Sequence, residues 1–164
     1  MPGRRVLVGC AGWVIPRAWA ARFPGPGTHL ERYGRVLPAV EIDTSFYRSH
    51  ARETYARWSH AVPPAFRFAV KAPRLVTHTR RLRRATEPFR RFLGEARGLG
   101  NKLGAVLIQL PPSLRYQGRT VAAFLGSVRR VWRGGVALEP RHGSWFDGTG
   151  DRLLAGFRVA RVAA

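Results

Sequence analysis

The sequence predicts an α/β protein built around a parallel sheet. Six short apolar runs alternate with longer amphipathic or Arg-rich stretches along its 164 residues. The runs are continuously apolar, which is typical of parallel strands that are buried on both faces. Polar or aromatic residues follow the carboxyl ends of the runs, and the opposite ends show nothing comparable. These observations indicate repeated β/α units with a functional edge where the strands end.

The predicted strands are, in order, Arg5–Gly9, Ala39–Asp43, Phe66–Lys71, Gly104–Leu110, Gly135–Glu139 and Phe157–Val162. The predicted helices lie near His29–Leu37, Arg52–Ala61, Thr86–Leu99, Arg119–Trp132 and Asp151–Leu154. Local signals support these elements in chain order. Pro63-Pro64 precedes the third strand, and Thr86 is expected to cap the helix that follows it. Pro111-Pro112 and Pro140 end the fourth and fifth strands.

The length leaves two architectures open for what we expect to be a single domain over residues 1–164. A closed (β/α)₈ barrel needs about 250 residues, whereas this chain has room for about six strands. The protein is therefore either a six-stranded open sheet or the first two-thirds of a barrel.

The charge balance is strongly basic, with 29 Lys and Arg against 9 Asp and Glu and a formal net charge of +20. Such an excess favours nucleic acid or another anionic partner. Only Lys71 and Lys102 are lysines, however, so the bias is an arginine bias that codon usage alone can produce.

Cys10 is the one cysteine, which excludes an intramolecular disulfide and a Cys-based zinc site. The segment Leu7–Cys10 resembles a lipoprotein cleavage site, but the apolar region before it is too short for a signal peptide. No apolar stretch is long enough to span a membrane. We therefore expect a cytoplasmic protein.

Charged residues cluster at the predicted strand ends. Glu41 and Asp43 are two residues apart and should share one face of their strand, and Glu139 and Arg141 have the same spacing. Carboxylates beside Lys71 can divide into acid, base and electrostatic roles. The alternative is an internal salt-bridge network of Glu41, Lys71, Glu139 and Arg141 that only neutralises buried charge.

Other side chains are expected beside these charges. His78 and His142 are candidate bases, but no HxH or HExxH spacing supports a metal site, and none is assigned. Absence of a Walker A or GxGxxG pattern leaves the cofactor unknown. The remaining candidate ligand-binding residues are Trp13, Asp43, Tyr47, His78, Gln109, Arg141 and Trp145.

An Arg-rich stretch provides the nucleic-acid alternative. It contains Arg80, Arg81, Arg83 and Arg84, and guanidinium groups match phosphate geometry well. The alternative is that this stretch is only a solvent-exposed loop and helix start.

The strand-end phrases also resemble a known family. Gly9–Trp13, Val40–Tyr47, Phe66–Lys71, Gln109–Pro112 and Leu138–Trp145, with Thr77-His78 between them, occur in the order found in the domain of unknown function 72 family, also called YecE-like proteins. The resemblance covers essentially the whole chain and implies a TIM-barrel-like fold of about 250 residues, so the sequence looks truncated after strand six. It implies no biochemical function.

The leading hypothesis is an enzyme of unassigned reaction, a hydrolase, lyase or isomerase, that acts on a small anionic substrate at the barrel mouth. Glu41, Glu139 and His142 are its candidate acid–base groups. Lys71 and Arg141 would hold the anion, and Trp13 and Trp145 would wall the site. The rival is a nucleic-acid-binding or processing protein that uses the Arg80–Arg84 stretch. The sequence predicts no oligomeric state.

Overall fold

A computed structural model describes residues 6–163 as one six-stranded parallel sheet with helices between its strands. The strands are β1 (Gly9–Ala11), β2 (Ala39–Ile42), β3 (Arg67–Lys71), β4 (Leu103–Gln109), β5 (Gly135–Glu139) and β6 (Ala160–Arg161). The helices are α1 (His29–Val36), α2 (Arg52–His60), α3 (Thr86–Ala96), α4 (Gly118–Val131) and α5 (Thr149–Gly156). The α/β prediction is confirmed.

Each strand pairs with the next one along the chain, so the sheet order is β1-β2-β3-β4-β5-β6. Successive helices touch one another: α2 packs on α3, α3 on α4 and α4 on α5. Sequential strands with neighbouring helices along one face form the wall of a (β/α) barrel. All the carboxyl ends of the strands consequently lie at one edge.

The helix-covered face of the sheet contains the core. Side chains such as Ile42, Phe68 and Ile108 are fully buried there against the helices. The residues that alternate with these along each strand form the inner face of the sheet. This face carries mainly small side chains, including those of Ala39, Ala69 and Ala105. Because alanine and glycine are apolar, these strands look continuously apolar in sequence although only one face is deeply buried.

The first strand lies later in the chain than predicted. Its predicted start, Arg5, is outside the described residues, and the strand occupies Gly9–Ala11 instead of ending at Gly9. A side chain at Gly9 would collide with the carbonyl oxygen of Ala39, so glycine lets β1 approach β2 closely. The Tyr33 hydroxyl then joins the two strands, accepting from Cys10 N at 2.9 Å and donating to Ala39 O at 2.9 Å.

Two other predicted boundaries were wrong. Thr86 does not cap α3, because Ala85 occupies the N-cap position and no side chain caps that end. The sixth strand does not begin at Phe157, because α5 continues to Gly156 and Arg158 then adopts a left-handed conformation with φ of 53°. That turn delays the strand to Ala160.

No helix within residues 6–163 combines the length and apolar character that crossing a membrane requires.

Candidate functional site

Four polar side chains meet at the carboxyl edge of the sheet. Parallel pairing places Gln109 of β4 directly opposite Glu139 of β5. Lys71 ends β3, and Glu41 lies on β2 one strand over, opposite Ala69. The predicted strand-end residues therefore do converge on one edge, as parallel strands require.

Glu139 is the fixed centre of this edge. Only 6% of the residue is exposed, and both carboxylate oxygens accept hydrogen bonds from the Gln109 amide, at 3.1 and 2.9 Å. Arg141 Nε also donates to one of these oxygens at 2.7 Å, which forms an ion pair. With these donors around it, the Glu139 carboxylate orients Gln109 and Arg141.

Lys71 is held differently. Its Nζ lies 5.1 Å from the centre of the Phe46 ring, a cation–π contact. Among residues 6–163, no group accepts a hydrogen bond from this Nζ or forms an ion pair with it. Only the backbone of Lys71 is tied down, since Ser45 Oγ donates to its carbonyl oxygen at 2.7 Å. The residue is partly buried, its Nζ keeps access to solvent, and the described part of the chain uses none of its three donors.

The predicted salt-bridge network forms only in part. Glu139 and Arg141 make the ion pair described above, but neither Glu41 nor Lys71 joins it within the described part of the chain. The positive charge of Lys71 nevertheless acts on the Glu41 carboxyl from a distance.

Burial raises the pKa of the Glu41 carboxyl above its usual 4.5. The positive charge of Lys71 opposes this change, whereas the negative charges of Asp43 and Glu139 reinforce it. Glu41 thus has the electrostatic surroundings of a group that can hold a proton and release it.

Asp43 does not extend β2 as predicted. The strand ends at Ile42, and Asp43 has helical dihedral angles (φ −92°, ψ −19°) at the start of a short 3₁₀ turn over Thr44–Phe46. The expectation that Glu41 and Asp43 share a strand face was therefore wrong, although the charge of Asp43 still reaches Glu41.

His78 lies among cations. Burial lowers the pKa of its imidazole below 6.5, and the positive charges of Arg74, Lys71, Arg141 and Arg81 lower it further. Its Nδ1 lies 2.9 Å from Thr77 Oγ1, and its ring meets the Phe46 ring edge-on at 4.9 Å. A neutral histidine surrounded by positive charge marks a place that favours an anion.

The segment that carries His78 has an unusual backbone. Residues Leu75–Thr79 form a single π-helical turn, a rare structure that often occurs at functional sites. Arg81, Leu82 and Arg84 follow it with φ values of 49°, 67° and 48°. Left-handed conformations are costly for such side chains and persist only where the surroundings enforce them.

Contacts to the next loop enforce this backbone. Arg81 donates to the hydroxyl and the carbonyl oxygen of Ser113, at 3.0 and 2.8 Å. Arg83 donates to the Gln117 side chain at 2.9 Å, and Arg80 donates to the Arg84 carbonyl oxygen. Much of the Arg-rich stretch thus fastens the loop after β3 to the loop after β4.

His142 is tied to its own turn. Its Nδ1 accepts from the Ser144 backbone N–H at 3.0 Å and lies 2.9 Å from Ser144 Oγ. Because Nδ1 accepts, a neutral ring carries its proton on Nε2 and can only donate from there. The same Ser144 hydroxyl accepts from Tyr116 N, so this turn also positions the loop after β4.

The aromatic candidates are dispersed. Trp145 is 1% exposed and donates its indole N–H to Leu114 O at 3.0 Å, so it packs the core and does not wall the site. Trp13 meets Trp58 of α2 edge-on at 5.0 Å, and Tyr47 is 78% exposed in the loop after β2.

The structure gives Ser45, Phe46 and Arg74 roles that the sequence did not predict. Ser45 and Phe46 hold the Lys71 backbone and ammonium, and the charge of Arg74 acts on His78. Their position just after predicted strands was visible in the sequence, but nothing in the pattern separated them from other loop residues.

No group of three or more His, Cys, Asp or Glu side chains placed to hold a metal ion occurs within residues 6–163.

Comparisons with known proteins give a family but no activity. The model of a family described as "Protein of unknown function DUF72" matches residues 7–164. The UPF0759 protein YunF of Bacillus subtilis is 28% identical over 153 residues, a stretch that is 87% of this chain and 52% of YunF. The chain therefore spans about half the length of this curated relative.

Solved structures agree on the fold. A DUF72 family protein from Enterococcus faecalis (EF0366) superposes with a TM-score of 0.72 at 21% identity, covering 94% of this chain and 59% of that one. One from Thermotoga maritima (TM1631) gives 0.71 at 23% identity, covering 96% and 64%. The predicted TIM-barrel-like α/β fold with six β/α units is confirmed, and so is the predicted family resemblance.

Proposed function

Since the chain belongs to the DUF72 family of proteins of unknown function, we propose a function from its own site: an enzyme that binds a small anion at the carboxyl ends of β2–β5 and transfers a proton to or from it. The proposed activity is that of the whole protein, and homologous chains are longer than this one. The reaction class is acid–base chemistry, as in a hydrolase, lyase or isomerase.

The free ammonium of Lys71 carries the proposal. An ammonium whose donors the protein leaves unused is available to bind an anion. Lys71 presents its Nζ at the strand ends, beside the Phe46 ring. An anionic ligand would supply the missing acceptors.

Neighbouring charges support an anion at this point. Arg74, Arg81 and Arg141 act on His78 together with Lys71, and no carboxylate is among the groups that shift the pKa of this histidine. Arg141 is oriented by Glu139 and is still 47% exposed at its side chain, so part of its guanidinium remains available. Phosphate and carboxylate groups both suit such a set of donors.

Two groups are suited to move the proton. Glu41, with its raised pKa, can act as an acid or a base. His78, with its lowered pKa, is neutral at pH 7 and can accept a proton or donate a hydrogen bond. Glu139 serves to position Arg141, and His142 offers a donor from Nε2.

We place this enzyme in the cytoplasm. Cys10 is free and exposed, and an exposed thiol persists best in a reducing compartment.

The test is a screen of phosphate monoesters and small carboxylates for stabilisation of the protein against heat, followed by turnover assays on the hits. Lys71→Ala should abolish stabilisation by a hit, whereas Glu41→Gln should keep binding and lower turnover at least about a hundredfold. Arg130→Gln is the matched control, because Arg130 lies on the helix α4, remote from the strand ends. Full activity in both site variants would overturn the proposal.

The rival proposal is a nucleic-acid-binding protein. Arg80, Arg83 and Arg84 are all exposed in one loop, which supports it. If they contact phosphates, replacing all three with Gln should weaken binding to duplex DNA and flatten the salt slope by about 2–3. The control replaces the exposed Arg115, Arg119 and Arg133. Equal losses in the two triple variants would show only non-specific attraction and refute this rival.

A further inference from the structure

A cavity lies on the flank of the fold, beside the strand-end site. It has a volume of about 320 Å³ and opens between the loop after β2, the segment after β3, and helices α2 and α3. All of its lining residues fall between Ser45 and Glu95. Lys71 and His78 do not line it, although Phe46 and Arg74 border both the cavity and the strand-end site.

Tyr55 provides the first sign that this cavity is built for a ligand. The residue lines the cavity and is 0% exposed, and its hydroxyl is a buried polar atom without a hydrogen-bond partner. Burial raises the pKa of this phenol, and the negative charge of Glu95 raises it further. Ser45 lowers this pKa as a neighbouring hydroxyl, but it donates its own proton to the carbonyl oxygens of Ile42 and Lys71 and does not meet the Tyr55 hydroxyl in full hydrogen-bond geometry.

The position of that hydroxyl follows from its neighbours. Ser45 and Glu95, the two groups that act on it, both line the cavity. The opposite end of the side chain, its Cβ, packs toward Gly98. The hydroxyl end of Tyr55 therefore lies on the cavity side of the residue, just beneath the lining, and a buried hydroxyl without a partner costs free energy unless a ligand that displaces the lining satisfies it.

Charge gives the second sign. Three arginines line the cavity: Arg48, Arg74 and Arg91. Glu95 is the one carboxylate in the lining, and it is already engaged by Arg91 at 3.4 Å and by Ser49. The remaining positive charge favours an anion.

The walls between these groups are apolar. Phe46, Phe92, Leu75 and Pro88 line the cavity together with the exposed Tyr47 ring. Most ligand sites combine mainly apolar walls with a few polar groups, and their volumes begin at about 300 Å³. Aromatic walls, an uncompensated guanidinium and one phenolic donor suit a flat ring with a single anionic group.

We propose that this flank cavity binds a small aromatic carboxylate. Its carboxylate pairs with the arginines, its ring packs among Phe46, Leu75 and Phe92, and the Tyr55 hydroxyl donates to an oxygen of the ligand. The site goes beyond the proposed enzyme activity. It shares one wall with that activity, because the Phe46 ring also contacts Lys71 and His78.

The experiment uses 4-fluorobenzoate as the probe, with binding to the 164-residue protein followed by fluorine NMR. We expect saturable binding with a Kd of about 1 mM or tighter. Arg48→Gln removes a guanidinium of the lining that has no ion pair in the described residues, and it should weaken binding about tenfold. Arg91→Gln also leaves Glu95 without its partner and should weaken binding at least as much, and Tyr55→Phe should weaken it about three- to tenfold. Tyr55→Phe should not lower the melting temperature, because it removes a hydroxyl without a partner.

Matched controls locate the probe. Arg90→Gln removes the neighbouring charge on α3, which pairs with Glu87 and does not line the cavity, and it should leave the affinity unchanged. Lys71→Ala should also leave it unchanged, so that failure here and failure of the strand-end proposal remain distinguishable. Equal weakening by Arg90→Gln and Arg91→Gln, loss of binding in Lys71→Ala, or no saturation by about 10 mM would each overturn the proposal.

Discussion

The lysines at the two edges of the sheet are held in opposite ways. At the amino edge, Lys102 Nζ donates to the carbonyl oxygens of Ser59 and Val62, at 2.5 and 2.6 Å. Arg129 donates to four more carbonyl oxygens near the starts of β5 and β6. At the carboxyl edge, Lys71 has no acceptor within residues 6–163, and the Arg141 Nε donates to Glu139.

This difference separates cations that stabilise the fold from cations that are available to bind a ligand. Cations at the amino edge satisfy the backbone carbonyls that loops leave unpaired, so they stabilise the chain. At the carboxyl edge, Arg81 and Arg83 fasten loops, whereas Lys71 and part of the Arg141 guanidinium keep donors that the described residues do not use. A chain with a net charge of +20 therefore carries its functional signal in which cations remain unpaired, and not in their number.

The largest effect on stability is expected at Arg129. Arg129→Ala leaves the carbonyl oxygens of Gly134, Phe157 and Arg158 without this partner. We expect a loss of about 2–3 kcal/mol in the free energy of unfolding, measured in urea. The adjacent Arg130→Ala is the control and should change stability by less than about 0.5 kcal/mol. Similar losses in the two variants would contradict the role given to the amino edge.

The two lysines provide the next comparison. Lys102→Ala should lower the free energy of unfolding by about 1–2 kcal/mol, because two carbonyl oxygens lose a charged donor. Lys71→Ala should cost less than about 0.5 kcal/mol, since no hydrogen bond is lost. If Lys71→Ala proved the more destabilising variant, its ammonium would be a structural group.

A smaller effect is expected at Glu41. Its folded-state pKa is raised above 4.5, so the folded protein holds this proton more tightly than the unfolded chain does. Its contribution is complete below the unfolded pKa and is lost as the pH rises through the folded pKa. Glu41→Gln should therefore become more stable than the wild type as the pH rises above about 4.5, by less than about 1 kcal/mol because the carboxyl is only partly buried.

Urea unfolding at a series of pH values measures this difference. A difference that shrinks with rising pH would mean that the Glu41 carboxylate is stabilised in the fold, and Glu41 would then be unsuited to hold a proton.

Much of this edge was predictable from the sequence. Apolar runs identify the strands, and parallel pairing then places Glu41, Lys71, Gln109 and Glu139 at one edge whatever the details. The end of β2 was predicted one residue late, which misplaced Asp43, because an extended and a helical Asp look alike in a pattern.

Other features were beyond sequence reasoning for a physical reason. Whether a cation already donates hydrogen bonds within the protein depends on contacts between residues distant in the sequence, such as Arg81 with Ser113. Positive φ at Arg81 and Leu82 has no sequence signal, since those residues normally avoid it. The flank cavity likewise arises from packing between two helices and two loops, and none of its residues forms a motif.

The most direct test of the carboxyl edge is an NMR titration of His78, with and without inorganic phosphate. Burial and four positive charges place its pKa below 6.5 in the free protein, and an anion bound beside Lys71 should raise that pKa, because a negative charge stabilises the imidazolium. We expect phosphate to raise the pKa of His78 in the wild type and in Lys102→Ala, and we expect this rise to be lost in Lys71→Ala. A rise of equal size in Lys71→Ala, or no rise in the wild type, would contradict the claim that the free ammonium of Lys71 marks an anion site.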